Sequence, residues 1–231
     1  MTQQFASPAV ESERCVATVY FMLADGSNLF DLNATSARSK LAKLPALSGP
    51  EIVRQHPEKI STYEAMSAPD ELLKHYREII SIAHDNGVPF DQYCHNFWIR
   101  LEIGKDDESP AITFDWWDHL AEMERFENWI EEGAPYNFID ADQHWEINAE
   151  RKGNSVEIVQ RDPDRNLEVN RMIFKLSALR FALSETLDSA RSLIAHLAQG
   201  VGEDVWTDYS HAQVMMGHRN EAKFGTDIWQ P

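Results

Sequence analysis

The chain predicts an α+β fold, a mainly antiparallel sheet of hairpins packed against two or three amphipathic helices. Three observations carry that reading. The stretch "HWEINAERKGNSVEIVQRD" sets two alternating apolar/polar runs on either side of a Gly-Asn turn. Two long runs, 69–87 and 176–200, repeat apolar residues at helical spacing. Strand-like runs follow one another directly, without the strict strand–helix–strand alternation that builds a parallel sheet. At 231 residues the chain has enough length for one substantial core and does not require two, so 1–231 reads as a single domain.

Residues 1–14 are polar with Ser and Pro, and read as a frayed end. "CVATVYFML" is β-branched and aromatic; Asp25-Gly26 after it supplies turn chemistry, and "LFDL" completes an expected hairpin. Residues 33–68, with Pro45, Gly49, Pro50 and Pro57, read as loop with short helical pieces. Ser67 and Asp70 match a capping box for the helix that follows. That helix carries Leu72, Leu73, Tyr76, Ile79, Ile80 and Ala83 on one face and stops at Gly87.

"NFWIRLEIG" alternates Phe97, Ile99, Leu101 and Ile103 on one side of a strand; "KDDES" turns, and "AITF" is a second strand. "FDWWDHLAEMERFENWIEEG" reads as a helix closed by Gly133-Ala134-Pro135. In the hairpin after it, Trp145, Ile147 and Ala149 alternate before the turn and Val156 and Ile158 after it. "LEVNRMIF" adds a strand, and Leu176, Leu179, Leu183, Leu187, Ala190, Ile194 and Leu197 form the stripe of the last helix. The tail 201–231 carries Trp206, Tyr209 and Trp229, too apolar for a solvated linker, so it should pack on the body or on a partner.

The net charge is −17, and its distribution is uneven: residues 101–150 hold 15 acids against 2 bases, while 151–200 hold 8 bases against 6 acids. A chain this acidic repels nucleic-acid phosphates and anionic lipid, which argues against nucleic-acid and membrane partners and for a basic protein. No apolar run is long enough to span a bilayer, and the N-terminus lacks the basic start and apolar block of a signal peptide. Cys15 and Cys94, the only cysteines, read as reduced and packed, so the expected compartment is the cytoplasm.

Catalytic signatures are missing from the sequence. The nine histidines are scattered, with no His-x-x-x-His or Cys-x-x-Cys pair, no Gly-x-Ser-x-Gly elbow and no glycine-rich phosphate loop. No cofactor is therefore expected. "RDPDRNLEVNRMIFK" mixes bases with acids and reads as internally ion-paired. Within 114–133, Asp115, His119 and Glu122 fall within about 60° of one another on a helix, a spacing that suits a metal or an acid–base pair. The simpler account makes Asp115 the N-cap, Asp118 a first-turn anion and His119 a neighbour of the buried stripe Trp116, Leu120, Met123 and Ile130.

The hairpin "HWEINAERKGNSVEIVQRD", a further strand, and "LSALRFALSETLDSARSLIAHL" together resemble the hairpin-plus-long-helix ends of bacterial immunity proteins, which neutralise toxins of polymorphic or contact-delivered systems. The resemblance implies a small, acidic, non-enzymatic cytosolic protein that plugs a toxin's active site, and it carries over no catalytic residue. The leading expectation is thus an inhibitor of a basic toxin, with a nuclease-type effector as the candidate. Its contacts would be Asp106, Asp107, Glu108, Asp118, Glu122, Glu124, Glu131 and Glu132, with Trp117 and Trp129 as aromatic anchors. Two alternatives stand beside it: a metal-dependent hydrolase centred on Asp115, His119 and Glu122 and completed by a distant residue such as His144, and an adaptor subunit binding through the aromatic tail 206–229.

Overall fold

The computed structural model describes residues 11–23, 47, 49–105, 111–114, 118–142 and 145–207. Nine strands and four helices occupy them: β1 (Glu11–Ser12), β2 (Val16–Met22), β3 (Lys59–Ser61), α1 (Thr62–Met66), α2 (Pro69–Asp85), β4 (Ile99–Gly104), β5 (Ile112–Thr113), α3 (Leu120–Glu132), β6 (Phe138–Asp142), β7 (Trp145–Lys152), β8 (Ser155–Asp162), β9 (Leu167–Lys175) and α4 (Leu176–Val201). Two short 3₁₀ turns, Phe90–Gln92 and Cys94–Phe97, lead into β4. The strands form a five-stranded sheet in the order β1-β9-β8-β7-β6 and a four-stranded one in the order β3-β2-β4-β5. β2 with β3, β4 with β5, β6 with β7, β7 with β8 and β8 with β9 pair antiparallel, and β1 pairs parallel with β9. The α+β architecture expected from the sequence is therefore present, with two sheets where one was expected.

Contacts group the chain into two compact units. The first comprises Met1–Thr18, Leu101–Trp116 and Met123–Thr186; the second comprises Val19–Arg100, Trp117–Glu122 and Leu187–Pro231.

The first unit is built on the five-stranded sheet. β7 and β8 meet across Gly153-Asn154, where Gly153 takes φ 64°, a conformation that disfavours any residue with a Cβ. One face of the sheet is apolar: Phe138, Trp145, Ile147, Ala149, Val156, Ile158, Met172 and Phe174 are all buried. Met123, Phe126 and Trp129 of α3 meet it through an aromatic cluster, with ring centroids 4.9 Å apart for Phe126–Phe138 and 5.4 Å for Phe114–Phe126.

The other face carries the bases that the sequence reading assigned to internal pairing. Arg171 grips Glu168 with two teeth, Nε–Oε1 2.8 Å and Nη2–Oε2 2.6 Å, and reaches Glu157 at 2.6 Å. Arg161 faces Glu146 at 3.6 Å, and Arg165 faces Asp162 at 3.4 Å. Lys152 hydrogen-bonds to Glu157 from the same face. Lys152 first, then Arg171, hold the Glu157 carboxyl below its ordinary value of 4.5. A carboxyl depressed by folding contributes stability that is complete above its unfolded pKa and disappears as pH falls through the folded one. Glu157→Gln should therefore lower the Tm near neutrality and flatten its dependence on pH in the acid range, as thermal melts at a series of pH values would read.

The second unit centres on α2 and the later turns of α4. Leu72, Leu73, Tyr76, Ile79, Ile80 and Ala83 are buried, as are Leu187, Ala190, Ile194 and Leu197. The whole predicted stripe of α4, including Leu176, Leu179 and Leu183 in the first unit, is buried as well. Gly87 ends α2 with φ 63°. The predicted capping box at Ser67 is corrected. The box belongs to α1, where the Ser61 hydroxyl accepts from Glu64 N at 3.2 Å and the Glu64 carboxylate accepts from Ser61 N at 2.8 Å. Ser67 ends α1, its hydroxyl donating to the Glu64 carbonyl at 2.6 Å, and α2 starts on Pro69 without a side-chain cap.

β2 falls in the predicted strand "CVATVYFML", while the Asp25-Gly26 turn and "LFDL" lie outside the described residues. No helix among the described residues is long and apolar enough to cross a membrane.

Candidate functional site

The acidic stretch 114–133 becomes a helix only from Leu120 onward. Asp115, Trp116 and Trp117 lie outside the described residues, as do Asp106, Asp107 and Glu108, and Asp115 lies upstream of the helix start. The first-turn donors are met by other groups. Leu120 N donates to the Trp206 carbonyl at 2.9 Å and Ala121 N to the Thr207 carbonyl at 3.1 Å. The Glu122 carboxylate folds back to accept from Asp118 N at 2.7 Å and His119 N at 3.3 Å. A chain segment more than eighty positions away thus performs the job expected of Asp115, and no local pattern announces it.

Two of the residues expected on the partner surface are inside the protein. Asp118 is 1% exposed and its Oδ1 lies 2.5 Å from Arg100 Nη1, while the Arg100 guanidinium sits 5.0 Å over the Trp98 ring. Trp129 is 5% exposed; it stacks on Phe126 at 5.8 Å, and its Nε1 donates to the Tyr136 carbonyl at 2.8 Å. Burial beside a cation in one case and within the aromatic cluster in the other removes Asp118 and Trp129 from the contact set.

The remaining carboxylates of α3 face outward. Glu131 and Glu132 are exposed, and Glu122, Glu124 and Glu127 are half-buried. Glu124, Glu127 and Glu131 fall within about 60° of one another around the helix, on a flank roughly 100° from the buried Met123, Phe126 and Ile130. Glu127 was missing from the sequence-based set, although the same angular count places it there. Arg125, the only base in the helix, faces Asp140 of β6 at 3.2 Å, and Arg180 of α4 faces Glu131 at 3.3 Å. Arg180 also donates to the Ile130 carbonyl at 2.8 Å and the Glu131 carbonyl at 3.0 Å, placing a cation at the helix's negative end.

Of the metal-centred alternative, His119 and Glu122 lie among the described residues. His119 is buried with Nδ1 3.5 Å from Glu122 Oε2, and that same carboxylate oxygen already accepts the two backbone donors. Asp115 and His144 lie outside the described residues. Among the described residues no group of three or more His, Cys, Asp or Glu side chains could hold a metal ion. Of the thiols, Cys94 is buried, and burial pushes the Cys15 thiol up to about 12. The adaptor alternative loses its first anchor, because Trp206 is in the core of the second unit, against Tyr76 and Phe97.

No family model matches the chain, and neither a curated protein nor a solved structure does.

Proposed function

We propose that the chain is a binding protein that neutralises a basic toxin by laying its acidic surface over the toxin's cationic cleft. The observation that carries this reading is the concentration of 15 acids against 2 bases in residues 101–150, with α3 turning its carboxylates outward and its apolar stripe inward. Such a surface repels itself and weakens the folded state unless a complementary charge meets it. Carboxylates of this kind speed the approach of a Lys- and Arg-rich partner and reject acidic ones. The toxin class and the mode of action by occlusion follow from the family resemblance of residues 144–197.

Reversing Glu124, Glu127 and Glu132 to lysine tests the electrostatic part. The triple variant should melt no lower than wild type, bind the basic partner at least tenfold more weakly at low salt, and show a shallower decline of affinity with added salt. Unchanged affinity and salt slope, measured by titration calorimetry, would remove the acidic surface from the account.

A further inference from the structure

β6 forms one margin of the five-stranded sheet, with β7 as its only strand neighbour among the described residues. Which of its backbone groups face outward follows from the hairpin next to it. Lys152 and Ser155 close the two-residue turn between β7 and β8, and the closing pair of such a hairpin exchanges hydrogen bonds. Direction then alternates along β7: Lys152, Glu150 and Asn148 turn their backbone groups toward β8, and Ala149, Ile147 and Trp145 turn theirs toward β6. The β6–β7 register pairs Phe138 with Ala149, Asp140 with Ile147 and Asp142 with Trp145. Phe138, Asp140 and Asp142 therefore bond to β7, and the N–H and C=O of Ile139 and Ala141 point away from the sheet.

Protein edges of this kind are usually blunted by lysine, proline, a bulge or an inward-pointing charge, and the inward Asp140 of β6 is paired with Arg125. β6, "FIDAD", has neither lysine nor proline, and its register with β7 is unbroken. The Ile139 side chain is 62% exposed on the face opposite Phe138, and Tyr136 just before the strand is exposed too. The charge around the edge is acidic. Asp140 lies in the strand, and α3 runs beside it, tied by the Arg125–Asp140 contact and by Trp129 against Phe138 at 5.8 Å. A second copy of this strand would bring carboxylate against carboxylate, whereas a strand rich in lysine or arginine would meet complementary charge.

We propose that β6 is a docking edge that takes one extended, basic strand of the partner, extending the five-stranded sheet by backbone pairing at Ile139 and Ala141. The partner strand would alternate basic side chains toward Asp140 and Glu132, which lies on the Arg125 flank of α3, with apolar ones over Ile139. This inference rests on the proposed binding of a basic partner and gives the contact its geometry.

The test uses the full chain and an acetylated, amidated octapeptide of alternating lysine and valine. Peptide binding should slow hydrogen exchange at the amides of Ile139 and Ala141. Ala141→Pro removes one outward donor, and Ile139→Lys puts a like charge in the path of the strand. Each should weaken the peptide about tenfold, Ala141→Pro through a lost backbone hydrogen bond and Ile139→Lys through like-charge repulsion. Ile139→Lys alters only an exposed side chain, so it serves even if the proline variant fails to fold. Wild-type affinity in both variants, with unchanged exchange at 139 and 141, would overturn the docking edge even where the α3 charge reversal still weakens the peptide. Weakening by Ile139→Lys and Ala141→Pro with no effect of the α3 reversal would instead keep the edge and discard the electrostatic reading. Protection of both amides without peptide, accompanied by a doubled mass in sedimentation, would assign the edge to a second copy and overturn the proposal.

Discussion

Trp206→Ala is expected to destabilise the protein by about 3–5 kcal/mol, the range for truncating a fully buried large aromatic. Trp206 is 0% exposed; its ring lies 5.2 Å from Tyr76 and 5.5 Å from Phe97, and those two rings stack at 5.1 Å. The loss is not confined to apolar contact. The Trp206 carbonyl receives Leu120 N and the Thr207 carbonyl receives Ala121 N, so the side chain anchors the segment that caps α3. A typical domain has only about 5–15 kcal/mol of stability, so the variant should lose a large fraction of it. Urea denaturation should show a lowered midpoint, and the amides of Leu120 and Ala121 should exchange faster than in wild type. Trp206→Phe, which keeps most of the buried surface, should lose markedly less. A midpoint for Trp206→Ala equal to wild type would mean that the ring is not a core element.

Asp118→Ala is expected to come next, at about 3–5 kcal/mol, because removing one partner of a buried ion pair leaves the other uncompensated. Asp118 is almost wholly buried and Arg100 retains only 16% side-chain exposure, so water replaces the carboxylate at the guanidinium only in part. Asp118→Asn should lose less, since the amide oxygen still accepts a hydrogen bond. The pairing of Arg100→Met with Asp118→Ala should recover part of the loss, as removing both charges often does. A double-mutant cycle read by chemical denaturation measures this coupling directly; additive losses would show that the pair does not act as a unit.

The helices and the central hairpin were legible because their signals are local. The α2 and α4 stripes follow from helical spacing alone, and every residue named for them is buried. The turn between β7 and β8 is legible from Lys152-Gly153-Asn154 in the same way. What the sequence concealed depends on contacts between distant residues. β3 is three residues of little strand character, held by pairing with Tyr20, Phe21 and Met22 of β2. β6 has too short an alternation to stand out, and its place is fixed by pairing with β7.

The candidate site divides the same way. An angular count along α3 separates Glu124, Glu127 and Glu131 from Met123, Phe126 and Ile130. It could not show that the helix begins at Leu120, because the carbonyls of Trp206 and Thr207 supply the cap. Nor could it show that Arg100 reaches Asp118, eighteen residues on, or that Trp129 turns its indole to the Tyr136 carbonyl. Charge at a position is readable from sequence; whether that charge faces water depends on what the fold brings against it.

The central claim is that the chain inactivates a basic partner by stoichiometric occlusion. The most direct measurement captures the partner on tagged chain from its native cell extract at low salt, releases it at high salt, and titrates its activity against fresh chain at low salt. The account predicts a basic protein, identified by mass spectrometry, whose toxic activity falls linearly to zero at an equimolar end point. Full activity at saturating chain would contradict occlusion. Recovery of the chain alone, with a stoichiometric metal lost on His119→Ala, would contradict the binding reading altogether and support the metal-centred enzyme.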